Sequence, residues 1–179
     1  MSALREQQHR RREGASVGAG RPEQPEAQPA AVRELHRQLL AEHARSPRGA
    51  GLRAPFSAQV HHVNPVCGDE VLLRVDLVQH PQGGLLVRDV SYEARGCAIS
   101  TASVSVLHDL TAGRALQESQ APRRALRELL TGATGARADE EVLGDGVALA
   151  GVLRHPARTR CVLLAWTAFD DAVACAGLG

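Results

Sequence analysis

From Ala31 the chain places apolar residues at helical spacing: in AVRELHRQLLAEHA, Val32, Leu35, Leu39 and Leu40 share a stripe, which predicts an amphipathic helix. The Pro and Gly residues of RSPRGAGL end it. The period then changes. Three strand-like stretches follow, SAQVHHV at 57–63, EVLLRVDLV at 70–78 and LLVRDVSYEA at 85–94, the last two joined by the turn-like QHPQGG. Leu73, Val75 and Leu77 alternate with other residues as a sheet with one covered face requires. After Gly96 the pattern returns to helix, at 98–112, then in pieces at 114–119 and 121–131, with a Gly-rich break at 132–146. Two helical patterns close the chain, GVALAGVL at 146–153 and a longer one from 156, where Pro156 suits a first helical position. Helix first, then an antiparallel meander of three strands, then helices on one sheet face, is an α+β arrangement.

Residues 1–29 interrupt this economy. REQQHRRREG and RPEQPEAQP are rich in Arg, Glu, Gln, Pro and Gly with little to bury, so a disordered N-terminal tail is expected at 1–29, one domain at 30–171 and a short C-terminal tail at 172–179. A length of 179 residues suits one compact domain. A net charge of +1 lacks the basic footprint of a nucleic-acid binder. All 21 basic residues are arginine, which excludes a Schiff-base lysine, a P-loop lysine and a lysine general base. One Trp, one Tyr and two Phe leave little for base-stacking platforms. No apolar run approaches the roughly 20 residues of a membrane-spanning helix, and the N-terminus lacks the apolar stretch of a secretory signal. A cytoplasmic protein without nucleic-acid or membrane partners is expected.

In a reducing compartment the four cysteines, Cys67, Cys97, Cys161 and Cys175, are ligands, nucleophiles or packed thiols rather than disulfides. NPVCGDEV sets Cys67 and Asp69 on either side of a glycine, whose backbone freedom lets both side chains turn toward one point. Cys97, in EARGCAIS, falls where a strand ends and a helix begins, a place where free amides and the helix dipole favour thiolate. Cys161 lies on the first turns of the last helix, three residues after Arg158. Three sulfurs and a carboxylate suit tetrahedral zinc, yet no CxxC pair is present. Composition and spacing leave a metal centre and unrelated buried thiols as alternatives.

The segments NPVCGDEVLLRV, DVSYEARGCAISTASVSVL, LGDGVALAGV and HPARTRCVLLAW, preceded by ELHRQLLAEHARSPR, closely resemble the SufU-type branch of the IscU/NifU-like iron–sulfur assembly family, in order, over residues 31–169. The resemblance implies a small α+β domain holding one zinc through Cys67, Asp69, Cys97 and Cys161. It also implies a zinc-dependent sulfurtransferase that accepts persulfide sulfur from a SUF-type, pyridoxal-phosphate cysteine desulfurase, with Cys67 as acceptor, and passes it to a downstream iron–sulfur assembly complex. The alternative within the family is a scaffold on which an iron–sulfur cluster is built and handed to apoproteins. Scaffold-type relatives usually carry His before the third cysteine, where Arg160 stands here, and the segment between the second and third cysteines is long; both features favour sulfur transfer. His36 and Ala44 depart from the pattern of the first helix without touching the ligand set.

Arg158 lies one helical turn before Cys161 and is expected to hold Asp69 when docking of the desulfurase frees a ligand, making Cys67, Asp69 and Arg158 the reactive set. His61 and His62, adjacent on a strand, face opposite ways, so at most one could reach the site. His108 is expected on a packed or solvent face, His155 beside a helix start, Cys175 as a free thiol, and Ser100, Ser103 and Ser105 as helix-packing residues.

Overall fold

The computed structural model describes residues 28–132 and 138–177; most of the tail expected at 1–29 lies outside the described residues. Helix α1 (Ala30–Arg45) comes first. Strands β1 (Ala58–Val63), β2 (Glu70–Gln79) and β3 (Leu85–Arg95) form the antiparallel meander, with Val63 opposite Glu70 and Leu73 opposite Tyr92. Gly83 and Gly84, at φ 95° and 79°, turn the β2–β3 hairpin with backbone conformations other residues rarely adopt. The bulge between Asp76 and Leu77 shifts the register near that turn.

The sheet has four strands rather than the three expected. Helix α2 (Ala98–Thr111) ends at Gly113, φ 75°, where the chain reverses and Arg114–Ala115, β4, pairs with Val87 and Leu86 of β3. The Gly113 N–H donates to the Val87 carbonyl (2.7 Å) and the Leu116 N–H to that of Leu85 (2.8 Å), so residues read as a helical piece extend the sheet instead. Helix α3 (Gln120–Thr131) follows. Within the stretch read as a Gly-rich break, Asp139 caps a short helix α4 (Glu140–Leu143), its carboxylate accepting from the Glu141 N–H at 3.0 Å. Gly144–Arg154 is then a 3-10 helix that buries Val147, Ala148, Leu149 and Val152.

Helix α5 (Pro156–Ala176) begins at the expected proline and runs past the boundary expected at 171. Ala172 is fully buried, so residues 172–176 belong to the packed helix and not to a tail. It lies over β1 and β2, while α2 packs against α1, α5 and β3. Leu73, Val75 and Tyr92 meet Leu107, Trp166 and Phe169 in one core. Trp166 donates its indole N–H to Ser103 (2.9 Å), whose hydroxyl donates to the Val162 carbonyl, so the polar atoms between the two helices are paired. Among the described residues no helix is long and apolar enough to cross a membrane.

Candidate metal centre

Three separate stretches converge at one end of the sheet. The loop 64–69 between β1 and β2 is built by Asn64, which is only 4% exposed. Its carboxamide oxygen accepts from the Val66 N–H (3.1 Å), its carbonyl from the Gly68 N–H (2.8 Å), and its own N–H donates to the Asp69 carbonyl (2.8 Å). Gly68 takes φ 74°, so the chain can fold back and set Cys67 and Asp69 toward the same place. Helix α5 brings Cys161 from the other side of the sequence.

The result is a compact donor set. One ligand-type atom from each of Cys67, Asp69 and Cys161 lies within 4.8 Å of the others, and the Cys67 and Cys161 sulfurs are 3.6 Å apart. Two thiolates on one tetrahedral zinc, with Zn–S of about 2.3 Å, stand about 3.8 Å apart. Asp69 and Cys161 are buried, whereas Cys67 is exposed. Asp69 Oδ1 accepts from the Cys97 N–H (3.2 Å) at the start of α2, where a carboxylate also suits the helix dipole. Asp69 Oδ2 is buried without a hydrogen-bond partner. A buried carboxylate oxygen left bare beside two sulfurs is costly unless a cation takes it up, so the residues present fit a thiophilic divalent metal such as zinc.

Charge at the site follows from burial and neighbours. Burial alone would push the Asp69 carboxyl up, but the Ser100 hydroxyl and the Cys161, Cys97 and Cys67 thiols turned toward it outweigh that and hold it below the ordinary carboxylate value. Burial, then the neighbouring Cys67 and Asp69, push the Cys161 thiol up. Without a cation the site therefore holds an ionised Asp69 beside a protonated Cys161.

The structure does not bring all the expected residues together. Cys97 engages Asp69 through its backbone N–H and its thiol lies on the same side, but its exposed sulfur stands outside the compact set, 3.7 Å from the Ser100 hydroxyl. Arg158 is exposed, its N–H bonded to the His155 carbonyl (2.8 Å), and among the described residues its side chain makes no ion pair with Asp69. Arg160 is exposed as well. His61 and His62 do diverge, to Glu70 (3.1 Å) and to Asp171 of α5 (3.0 Å), and neither joins the sulfurs. His108 packs by a hydrogen bond with the Val90 carbonyl (2.8 Å), and Cys175 is an exposed free thiol on α5. Ser105 has a partner that the sequence did not indicate: the His43 ring lies 2.8 Å away and also reaches Asp145 (3.1 Å). Both Ser105 and His43 are buried, so this serine–histidine–aspartate set ties α1 to α2 and the 3-10 helix and offers no reactive hydroxyl to a substrate.

Asn64, Gly96 and Ser100 were not singled out for the site. A β-carbon on Gly96 would stand 2.6 Å from Asp69 Cγ and 2.7 Å from the Ser100 hydroxyl, so only glycine leaves room for the carboxylate there. The Asn-Pro step that opens the loop was the available signal for Asn64.

A family model for the NifU-like N-terminal domain matches residues 35–162. The zinc-dependent sulfurtransferase SufU of Bacillus subtilis (strain 168) is 33% identical over 141 residues, covering 78% of this chain and 90% of that protein. The iron–sulfur cluster assembly scaffold protein IscU of Streptococcus pyogenes serotype M1 is 31% identical over 142 residues, covering 79% of this chain and 84% of that protein. A crystal structure from Fervidobacterium islandicum AW-1, of a chain described as an iron–sulfur cluster assembly scaffold protein for the SUF system, superposes with a TM-score of 0.64 at 26% identity, covering 76% of this chain and 94% of that one. With the matched segment spanning the loop of Cys67, the Cys97 junction and the helix of Cys161, this chain belongs to the NifU-like N-terminal domain family of iron–sulfur cluster assembly proteins.

Proposed function

We propose that this protein is a zinc-dependent sulfur acceptor and donor in iron–sulfur cluster assembly, taking persulfide sulfur from a SUF-type cysteine desulfurase. The observation that supports it most is the asymmetry of the donor set: Asp69 and Cys161 are buried and Cys67 is exposed beside them. Cys67, Asp69 and Cys161 would hold the zinc, with Cys97, at the start of α2, as the fourth ligand. Zinc, when bound, would keep the sulfurs deprotonated and the site closed to oxidation. In the transfer, the Cys67 thiolate attacks the terminal sulfur of the desulfurase persulfide. A new S–S bond forms on Cys67, the old one breaks, and the desulfurase cysteine leaves as thiolate. Asp69 and Cys161 stay in place through this exchange, and Arg158 is proposed to hold the Asp69 carboxylate there when docking of the desulfurase frees Cys67. The zinc-dependent relative in Bacillus subtilis supports this reading, as does Arg160 before the third cysteine.

The second reading, a scaffold carrying an iron–sulfur cluster, has support in the relative from Streptococcus pyogenes. Anaerobic purification followed by metal analysis separates the two. About one zinc per chain, no iron chromophore, and stimulated sulfide release from a SUF-type desulfurase are expected; a brown product with cluster absorption and no stimulation favours the scaffold.

A further inference from the structure

Resting on the sulfur-acceptor reading above, we propose that Asn64 is a positioning residue that makes Cys67, and not Cys161, the sulfur that reacts. Asn64 shapes the Cys67 loop with its carboxamide oxygen and its backbone, and the other end of the same side chain points elsewhere. Its Nδ2 donates to the Cys161 sulfur at 3.8 Å. At 4% exposure this carboxamide has little access to water, so the sulfur is where its donor is satisfied.

An N–H directed at a sulfur stabilises negative charge on it and draws density from the lone pair that would attack an electrophile; such outer contacts orient metal ligands and tune them. Cys161 has this contact. Cys67 does not: among the described residues no N–H is directed at its sulfur, which meets the Cys161 sulfur at 3.6 Å and lies beside the Asp69 carboxylate. The Cys97 sulfur is intermediate, since the Ser100 hydroxyl 3.7 Å away also donates to the Cys97 carbonyl at 2.9 Å, the shorter contact. Access and electron density therefore coincide on Cys67. The same residue that sets the loop close to Cys161 also restrains the Cys161 sulfur, so the two thiols stand side by side without being equivalent.

The experiment separates the loop role from the sulfur role. In Asn64→Ser the hydroxyl can still accept from the Val66 N–H in the manner of a Ser turn, but its side chain ends one bond too early to reach Cys161. The cobalt-loaded variant is expected to show its sulfur-to-metal charge-transfer band at lower energy than the unsubstituted protein. Iodoacetamide labelling followed by peptide mapping is expected to show Cys161 gaining on Cys67, and zinc affinity is expected to fall about 10- to 100-fold. A folded Asn64→Ser protein with an unmoved band and an unchanged labelling ratio overturns the proposal. Should that variant fail to fold by circular dichroism, the unsubstituted chain carries the test: loaded with cadmium-113 and labelled with nitrogen-15, it should show scalar coupling between the metal and the Asn64 carboxamide protons. No coupling, with those protons exchanging at solvent rates, overturns it equally. No desulfurase enters either arm, so a protein that shows the N–H···S contact and fails to stimulate a desulfurase counts against the sulfur-acceptor reading alone.

Discussion

Replacing Gly96 with alanine tests whether the site depends on the space that Gly96 leaves. The added β-carbon would meet Asp69 Cγ at 2.6 Å, Ser100 Oγ at 2.7 Å and Asp69 Oδ1 at 2.8 Å, distances at which something has to move. Two effects oppose each other. Gly96 is not in the left-handed region, so alanine suits its backbone and stabilises by about 0.4–1 kcal/mol through the unfolded chain. Overpacking a filled site costs about 1–3 kcal/mol. Neither neighbour is a flexible tip: Asp69 is 5% exposed immediately before β2, and Ser100 is 7% exposed in the first turn of α2. The clash therefore wins, leaving Gly96→Ala roughly 0–2.6 kcal/mol less stable without metal. The carboxylate must shift to make room, so zinc affinity falls further than stability does. Urea unfolding with an unchanged slope measures the first effect and chelator competition the second. Gly68→Ala is the control: nothing lies within 4 Å of its added β-carbon, but φ 74° makes the change a matter of backbone strain. Wild-type stability together with wild-type zinc affinity in Gly96→Ala would refute the reasoning.

Cys67→Ser is expected to abolish desulfurase stimulation while keeping the fold, and Cys175→Ser to keep both zinc and stimulation; persulfide found on Cys175 by mass spectrometry would reassign the acceptor. Arg158→Ala is expected to retain zinc and helical circular dichroism but to lose most stimulation of sulfide release, with a weaker loss for Arg160→Ala; normal stimulation returns Arg158 to the solvated surface, where it is observed. Zinc at about 1,000 times its dissociation constant should stabilise the domain by about 4 kcal/mol, raising Tm by roughly 8–16 °C in calorimetry with and without chelator. Burial pushes the Tyr92 phenol from 10.0 up to about 12, so the stabilisation from keeping it neutral is fully present below pH 10 and is lost as the pH climbs toward 12. Tyr92→Phe should flatten that alkaline limb and lose about 1 kcal/mol at neutral pH with the hydrogen bond to the Arg48 carbonyl, both read from urea unfolding across pH.

Elements with a period of their own were legible in the chain. Alternation through Leu73 and Val75 and the Gly83–Gly84 turn placed β2 and β3, and Pro156 placed the start of α5. Arg114–Ala115 was not legible as a strand because two residues carry no period; only the reversal at Gly113 and the open edge of β3 make them one. The end of α5 carries no legible period because AVACAGLG is small and weakly patterned, while Ala172 packs because it is small. At the site, the CGD step announced Cys67 and Asp69 as neighbours. That Asn64 faces a sulfur 97 positions away follows only from the packing of α5 over β1, which no local pattern encodes. The orientation of Cys97, backbone toward Asp69 and sulfur outside the compact set, is a choice of side-chain direction at a helix start and leaves no mark on spacing.

The supports of the three clustered donors differ, and that difference decides which of them can leave. Asp69 is the residue before β2, held by the Cys97 N–H and by the register that sets Val63 against Glu70. Cys161 sits on a 21-residue helix whose next residues, Val162, Ala165 and Trp166, are in the core. Moving either one disturbs regular structure and buried contacts, at the scale of several kcal/mol for a core side chain. Cys67 rides on the loop 64–69, exposed, with Val66 beside it 64% exposed. Its displacement disturbs the turn that Asn64 builds and little else, a cost of about one or two hydrogen bonds at roughly 1 kcal/mol each. In the proposed exchange the inexpensive movement is thus that of the sulfur which meets the partner. Asp69 and Cys161 would be the residues to hold a metal there, and Cys67 the one free to swing out, take sulfur and return.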